Sequence, residues 1–363
     1  MKSNPIFLFI MATCFSGGSL LKSQAQTAPD RQLVLYEVSP VSGLSDGSGR
    51  LPAAVWEKIP VTRNSFVYWK VEALPGDLQS DIQMAYDEKG LYVRIVNHEA
   101  HPEKMRALVK TRGSRDLWTD DCVELYFDPR ATGVGFLVFT INSIGAQLER
   151  KQLDAAVSVD DWRANNWQVW PTRKDDAWIL EAFFPYSDLE KAVEPGAFWM
   201  FNMTRYAYTS GKFQGTTWSP GGNYNNPSCF GYLYFRGEKP ASTESLAEVL
   251  RERVTAPWVV AINEKILRYR GAGDVEILSP QEAGKGVVQE ADNAFREVDA
   301  LGASDPALAS HLATLKQDAK QVSFGTTEEA LDNMRKLAAI TAQTRTLYWN
   351  EKIKSLLDNE IKK

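Results

Sequence analysis

The feature that most constrains this chain is a series of short segments, all before Pro240, in which apolar and polar residues alternate. The clearest case runs from Ile82 to Tyr86, turns at Asp87 to Gly90, and continues from Leu91 to Ile95. Alternation with a period of two puts one set of side chains on each face of a strand, so both arms predict a β-hairpin with one buried face. Amphipathic crossover helices are missing from this part of the sequence, which favours an antiparallel β-sandwich of jelly-roll type over a parallel α/β sheet.

The strand that follows this hairpin has two distinct faces. Val123, Leu125 and Phe127 share one face, and Cys122, Glu124 and Tyr126 share the other. Further strands are predicted at Phe136 to Asn142, Trp178 to Phe184, Trp199 to Tyr208, and Phe230 to Phe235. Of the 11 tryptophans in the chain, Trp56, Trp178 and Trp199 alternate with apolar neighbours and are predicted to lie in the core.

The sequence after Pro240 changes to helical spacing. Ser279 and Glu282 form a capping box around Pro280, and Asp305-Pro306 and Thr326 with Glu329 start two more helices. The segment from Thr243 to Arg270 is predicted to be helical as well, with a break at Pro257. We therefore expect residues 30–238 to form the β-sandwich and residues 239–363 a helical region.

The N-terminus has the pattern of a secretory signal peptide. Lys2 precedes an apolar run from Ile6 to Leu21, and Ser23 and Ala25 supply small residues for cleavage after residue 25. The mature chain is expected to be secreted or periplasmic and to contain no transmembrane span; a lipid anchor at Cys14 is a minor alternative. Cys122 and Cys229 remain after cleavage, and either a disulfide between them or two buried thiols is compatible with the sequence.

Composition and motif content exclude several classes of function. A net charge of -5 with no basic surplus argues against a general nucleic-acid binder. The chain has 3 histidines and lacks a Gly-x-Ser-x-Gly elbow, a phosphate loop and a dinucleotide fingerprint. His98 and His101 have a spacing that suits a metal on a helix, but they follow a predicted strand and precede Pro102, which favours a solvated loop.

Acidic residues crowd around Trp118. They are Asp116, Asp120, Asp121, Glu124 and Asp128. Two carboxylates facing each other across a cleft would make a glycosidase pair, although nothing in the sequence shows such a cleft. Acids this close repel one another, so loop caps, an arginine partner or a cation such as calcium would each relieve the repulsion. No cofactor is certain, calcium stays open, and the identity of any metal ligand stays unknown.

The run from Asp116 to Pro129 resembles the signature strand of the family 9 carbohydrate-binding modules, in which a tryptophan is followed by Asp-x-Val-Glu and the strand ends in Asp. Other segments resemble the family in the same order along the chain. They are Trp56, the hairpin from Ile82 to Ile95, Phe139 to Gly145, Trp178 to Pro185, Phe201 to Arg205, and Trp218 to Gly231. The resemblance spans about Tyr36 to Phe235 and does not include the helical region.

This resemblance implies a β-sandwich that binds sugar without performing chemistry. In the family two aromatic rings clamp the sugar; Trp118 matches one ring, and Tyr224, with Asn223 beside it, matches the other. Glu124 matches the acid that bonds sugar hydroxyls. Thr140 replaces an arginine of the family, so a preference for reducing-end glucose does not carry over.

Physical reasoning leads to the same type of site. A sugar ring has apolar C–H faces that stack on Trp or Tyr, and its hydroxyls suit charged partners such as Glu124 and Arg205. Arg205 could equally balance the cluster of acids, and both roles stay open.

Three functions follow from these patterns. The first is non-catalytic binding of an oligo- or polysaccharide in glycan utilisation, with the helical region docking a protein partner or spacing the module. The second is a hydrolase acting on O-glycosyl compounds, or an accessory part of one. The third is a haem- or metal-binding sandwich for electron transfer, with axial ligands from the histidines and from methionines. The candidate methionines are Met84, Met105, Met200 and Met203.

Overall fold

The computed structural model describes residues 31–42, 49–63, 66–68, 78–154, 156–159, 161–301 and 306–361. The predicted signal peptide and Cys14 lie outside the described residues.

Strands dominate the described part of the chain up to residue 278. They are β1 (Arg31–Gln32), β2 (Leu35–Pro40), β3 (Phe66–Val67), β4 (Ser80–Tyr86), β5 (Gly90–His98), β6 (Cys122–Asp128), β7 (Phe136–Asn142), β8 (Gln147–Gln152), β9 (Ser158–Val159), β10 (Gln168–Arg173), β11 (Ala177–Pro185), β12 (Phe198–Ala207), β13 (Gln214–Thr217), β14 (Gly231–Phe235), β15 (Trp258–Ile262), β16 (Lys265–Tyr269) and β17 (Glu276–Leu278). The α-helices are α1 (Ala53–Trp56), α2 (Tyr186–Leu189), α3 (Thr243–Arg253), α4 (Pro280–Asp299), α5 (Pro306–Lys320) and α6 (Thr327–Ile361). Single 3₁₀ turns span Pro102–Lys104, Arg115–Thr119 and Pro227–Cys229.

Two sheets share strand β2. Its first part pairs with β14, in a sheet that continues through β12, β6, β7, β8 and β9, while β13 and β3 extend from β12. The end of β2, Ser39 and Pro40, pairs with β4, in a second sheet that continues through β5, β11 and β10. Both pairings of β2 are parallel, and the other pairings in these two sheets are antiparallel. The β-sandwich prediction is confirmed.

The core lies between these sheets. Val123, Leu125 and Phe127 of β6 face it, as the alternation predicted, and all three are fully buried. Ile82 and Met84 of β4 approach from the opposite sheet. Trp56, Trp178 and Trp199 are also buried, which confirms their predicted core positions.

The outer face of the β14–β9 sheet is divided into two parts. Helix α3 covers one part, where Leu246 and Leu250 pack with Tyr126, Phe136 and neighbouring apolar side chains. Trp258 of β15 belongs to the same apolar cluster. The other part of this face, around Glu124, is not covered by α3 and carries the polar and aromatic groups described below.

The helical prediction for Thr243 to Arg270 is correct only as far as Arg253. Residues 258–269 form the β15–β16 hairpin instead, and β1 and β17 complete a small four-stranded sheet. The segment from Trp258 to Ile262 is rich in β-branched and aromatic residues, which favour strands. Asn263 and Glu264 connect the strands with φ of 48° and 63°, as a two-residue turn of the hairpin type requires.

The last three helices form the helical region. The capping box of Ser279 and Glu282 begins α4, and Thr326 caps the start of α6 by accepting from the Glu329 amide at 3.2 Å. Apolar side chains of α4, α5 and α6 pack together, with Phe295, Leu315 and Leu337 at the centre. These helix starts were predicted correctly.

Candidate functional site

The uncovered part of the outer face is centred on Glu124 of β6. Thr140 of β7 and Thr204 of β12 are its partners in the strand register, so Glu124 lies in the middle of the sheet. Arg150 reaches it from β8 and Tyr206 from β12. Alternation along β6 puts Glu124 on the face opposite the core.

The carboxylate of Glu124 is buried and fully hydrogen-bonded. Oε1 accepts from Thr140 Oγ1 at 2.8 Å and from Arg150 Nη2 at 2.6 Å. Oε2 accepts from the Tyr206 hydroxyl at 2.8 Å and from the Tyr126 hydroxyl. The side chain of Glu124 is 5% exposed and that of Arg150 is 37% exposed. Four donors occupy the lone pairs of this carboxylate, so Arg150 is the member of the pair that can reach a ligand.

The hydroxyls and the arginine that bond Glu124 have shifted pKa values. Burial, followed by the negative charge of Glu124, raises the pKa of the Tyr126 hydroxyl well above its usual value. Burial also raises the pKa of Tyr206. Burial acts to lower the pKa of Arg150, but Glu124 and the nearby tyrosines outweigh it and the pKa is raised. The tyrosines therefore stay protonated as donors and Arg150 stays cationic at ordinary pH.

Trp118 lies beside the Glu124 cluster, and its indole is exposed to solvent. It lies in the 3₁₀ turn Arg115–Thr119, where Leu117 is fully buried and anchors the turn while Trp118 is 54% exposed. Trp118, Glu124, Thr140 and Arg150 line one cavity of about 290 Å³. A large indole held in water by a turn with a buried anchor is a surface that can receive an apolar ligand face.

Two buried aspartates fix the Trp118 turn. Asp120 accepts from the amides of Leu108 and Val109, both at 2.9 Å. Asp121 accepts from the amide of Arg106 at 2.7 Å and from that of Tyr208 at 3.1 Å. Burial raises the pKa of Asp121 despite these bonds. These carboxylates hold loops together, which is one of the roles the acid cluster was predicted to play.

The remaining acids of the cluster are spread apart. Asp128 caps the following turn by accepting from the amides of Arg130 and Gly133, and Asp116 is exposed. Among the residues that the structure describes, no group of three or more His, Cys, Asp or Glu side chains is arranged to hold a metal ion.

Tyr224 is linked to the Glu124 cluster through a ring that it stacks on, that of Tyr68. It is partly buried and stacks on Tyr68, with ring centroids 4.6 Å apart and planes inclined by 24°. The Tyr68 hydroxyl lies 2.9 Å from that of Tyr206, which bonds Glu124. Asn202 positions Tyr224 by donating to its carbonyl at 3.1 Å. Asn223 is exposed in the same loop.

Arg205 is the one predicted site residue that the structure does not bring to this face. It is 1% exposed and lies on the core-facing side of β12, with Trp199, Phe201 and Met203. Its guanidinium bonds Glu99 Oε2 at 3.0 Å and the carbonyl of His98 at 2.7 Å. Burial lowers the pKa of Arg205 to about 10, and Glu99 and Asp121 oppose that shift. Arg205 therefore balances buried acids, the second of its two predicted roles.

The other candidate ligands lie elsewhere in the fold. His98 Nε2 is 3.2 Å from Asp81, and His101 is next to Glu103. The four candidate axial methionines pack in the apolar clusters of the sandwich. Cys122 and Cys229 are both free thiols; Cys122 is buried, as expected for an unpaired thiol of the core, whereas Cys229 is only partly buried.

Sequence reasoning missed Arg150, Tyr206 and Tyr68. Tyr206 could have been found, because it shares the parity of Thr204 along the predicted strand and therefore the face of Glu124. Arg150 lies in a strand of sequence Gln-Leu-Glu-Arg-Lys-Gln, which has almost no apolar alternation. No local signal identified that segment as a strand.

Comparison with known proteins establishes the family of the sandwich. The model of the family described as "Carbohydrate family 9 binding domain-like" matches residues 46–238, just over half of the chain. The chain belongs to this family, and the resemblance seen in the sequence is confirmed. A search of curated proteins finds no match.

The search of solved structures found matches of low sequence identity. A candidate carbohydrate-binding protein from Bacteroides uniformis is 18% identical, with a TM-score of 0.44, covering 56% of this chain and 99% of its own. A family 9 carbohydrate-binding module from Caldicellulosiruptor kristjanssonii, solved with glucose and with cellotriose, is 16% identical, with a TM-score of 0.41, covering 58% of this chain and 100% of its own. Within the described ranges, no helix combines the length and the apolar character needed to cross a bilayer.

Proposed function

We propose that this protein binds an oligo- or polysaccharide without catalysis, on the outer face of the sandwich that carries Trp118, Arg150 and Tyr224. Membership of the family supports carbohydrate binding in general. The observation that carries the finer proposal is the 54% exposed indole of Trp118, held by a turn with a buried anchor, in the same cavity as Arg150.

The aromatic rings supply the apolar part of recognition. Trp118 offers its indole face to the C–H face of a sugar ring, and Tyr224 is the second ring of the proposed clamp. Rigid aromatic rings lose little conformational entropy when they bind, so a stacked pair contributes affinity at low cost.

In this proposal Arg150, rather than Glu124, makes the polar contacts to the sugar. Glu124 already accepts four hydrogen bonds, so its role in this proposal is to hold Arg150 and to keep Tyr126 and Tyr206 oriented. Arg150 has further N–H groups directed along a planar fork that suits the oxygen atoms of a sugar rim. Asn223, exposed beside Tyr224, is a further candidate for a sugar hydroxyl.

Export of the protein is part of the same proposal. The signal-peptide pattern of residues 1–25 supports a secreted or periplasmic location, where polysaccharide fragments are met during glycan utilisation. The region from α4 to α6 would then space the sandwich from a neighbour or dock a protein partner.

A glycan array tests the proposal. Residues 26–363 are applied to neutral and acidic plant and bacterial glycans, and the glycans that bind are then incubated with the protein and checked for released products. We expect binding to at least one glycan class and no products. Absence of binding to all classes contradicts carbohydrate recognition, and product release supports the hydrolase alternative.

A further inference from the structure

An exposed aromatic ring outside the Trp118 cavity, Phe213, lies near the proposed clamp. We propose that the carbohydrate site continues across Phe213, so that the ligand is a chain of several sugar units instead of a single terminal sugar. This inference rests on the proposed function and concerns the size of the ligand that the same face accepts.

Phe213 is an exposed ring at the centre of a group of tyrosines. It precedes β13 and is 44% exposed. Its centroid lies 5.8 Å from that of Tyr68, 5.7 Å from that of Tyr206 and 5.6 Å from that of Tyr208. These contacts fix the ring on one side and leave the other side in water.

The local sequence is suited to this arrangement. A Cβ atom on Gly215 would lie 2.9 Å from the Phe213 ring and 3.0 Å from that of Tyr68. A larger residue at this position would crowd both rings, so glycine leaves room for them to pack over the backbone. The exposed ring therefore has a defined packing site and is more than an apolar side chain left on a loop.

Phe213 is linked through one tyrosine to each residue of the proposed clamp. Tyr208, one of its neighbours, donates its hydroxyl to the carbonyl of Trp118 at 3.2 Å. Tyr68, another neighbour, stacks on Tyr224. One tyrosine thus separates Phe213 from each of these residues. Tyr68 is buried and Tyr208 is partly exposed, so Phe213 is an exposed ring next to the clamp on the same face of the protein.

A site that extends to Phe213 has a consequence for affinity. A ligand of one or two units would occupy the Trp118 cavity and leave Phe213 uncovered. A longer ligand would bury the Phe213 ring under a further sugar, which adds a stacking contact of the strength that single aromatic rings contribute to other flat ligands.

Calorimetry with oligosaccharides of defined length tests this inference. The full chain, Phe213→Ala and Phe213→Leu are titrated with cello-, xylo- and manno-oligosaccharides of two to six units. Trp349→Ala removes an indole that is 59% exposed on α6 and serves as a matched control. For the series that binds, we expect the affinity of the wild type to rise with length. Both Phe213 variants should then lose about tenfold for the longest member and less than twofold for the disaccharide, the scale of one stacked ring.

The outcomes separate the two proposals. If the wild type binds but its affinity is independent of length, or if the Phe213 variants lose affinity equally for all lengths, the extended site is wrong while carbohydrate binding stands. If no series binds, the proposed function fails for these glycans and the extended site fails with it.

Discussion

The Arg150 guanidinium donates to Glu124 at 2.6 Å, yet the two side chains differ in exposure, with 37% of Arg150 exposed and 5% of Glu124. The pair therefore has a buried member and an accessible member. Because Thr140 and two tyrosines also donate to Glu124, the carboxylate serves as the support and the arginine as the group presented to solvent. This division of roles differs from the one that the family resemblance implied for Glu124.

Replacing Arg150 by Met should weaken carbohydrate binding at least tenfold. The change keeps the unbranched apolar stem of the side chain but removes its donors. It should also reduce the free energy of unfolding by about 1.5–3 kcal/mol, the range for a hydrogen bond to a charged group. Arg50→Met is a matched control, because Arg50 is 46% exposed, pairs with the 11% exposed Glu181 and does not line the Trp118 cavity. Calorimetric titration together with urea unfolding checks both effects. An equal loss of affinity in the two variants would contradict a direct contact from Arg150.

Replacing Arg205 by Met should affect stability and leave binding unchanged. Arg205 and Glu99 form a buried ion pair, at 1% and 5% side-chain exposure, and removing one partner of such a pair costs about 3–5 kcal/mol. Affinity of the folded protein should stay within twofold of the wild type. A variant that keeps its melting temperature but loses binding would show that Arg205 contacts the sugar.

The protein should lose stability as the pH rises past 10. Burial raises the pKa of Tyr68, Tyr126 and Tyr206, so these hydroxyls keep their protons in the folded state while the unfolded chain releases them near pH 10. The unfolded state then binds fewer protons, and the free energy of unfolding falls by up to about 1.4 kcal/mol per pH unit for each tyrosine. Arg205 partly offsets this loss of stability. Burial lowers its pKa to about 10, so above that pH the folded state releases a proton that the unfolded state keeps.

Urea unfolding between pH 8 and pH 11 measures this dependence. In Tyr206→Phe one titrating group is absent, so the decline should be less steep than in the wild type. A stability that stays flat to pH 11 in the wild type would show that these tyrosines are not buried as donors.

We propose that the sandwich needs more of the chain than residues 30–238. Leu246 and Leu250 of α3 and Trp258 of β15 pack on the outer face of the sheet, so a fragment that ends at residue 238 leaves Tyr126 and Phe136 uncovered. A fragment that ends at Leu278 retains this cover and should melt at a higher temperature. Equal melting temperatures of the two fragments, measured by circular dichroism, would support the shorter boundary.

The sandwich could be predicted because its strands alternate clearly. Val123, Leu125 and Phe127 defined the core face of β6, and the same parity rule would have placed Arg205 with the core residues Phe201 and Met203. The β15–β16 hairpin was missed because its turn, Asn263-Glu264, lacks glycine even though both residues have positive φ.

The site could be predicted only in part. Trp118 and Glu124 lie in a recognisable local motif, and in the structure they line one cavity. The saturation of Glu124 depends on donors from β7, β8 and β12, which are distant in sequence. Such contacts follow from strand order and register, and neither can be inferred from local alternation alone.

Calorimetric comparison of the wild type with Trp118→Ala is the most direct test of an aromatic sugar site on this face. The two proteins and Trp349→Ala, which removes a similarly exposed indole on α6, are titrated with the glycan selected on the array. We expect Trp118→Ala to lose about 1–3 kcal/mol of binding free energy, the scale of one stacked ring, with an unchanged melting temperature and with Trp349→Ala binding as the wild type does. Unchanged affinity in Trp118→Ala would contradict the account.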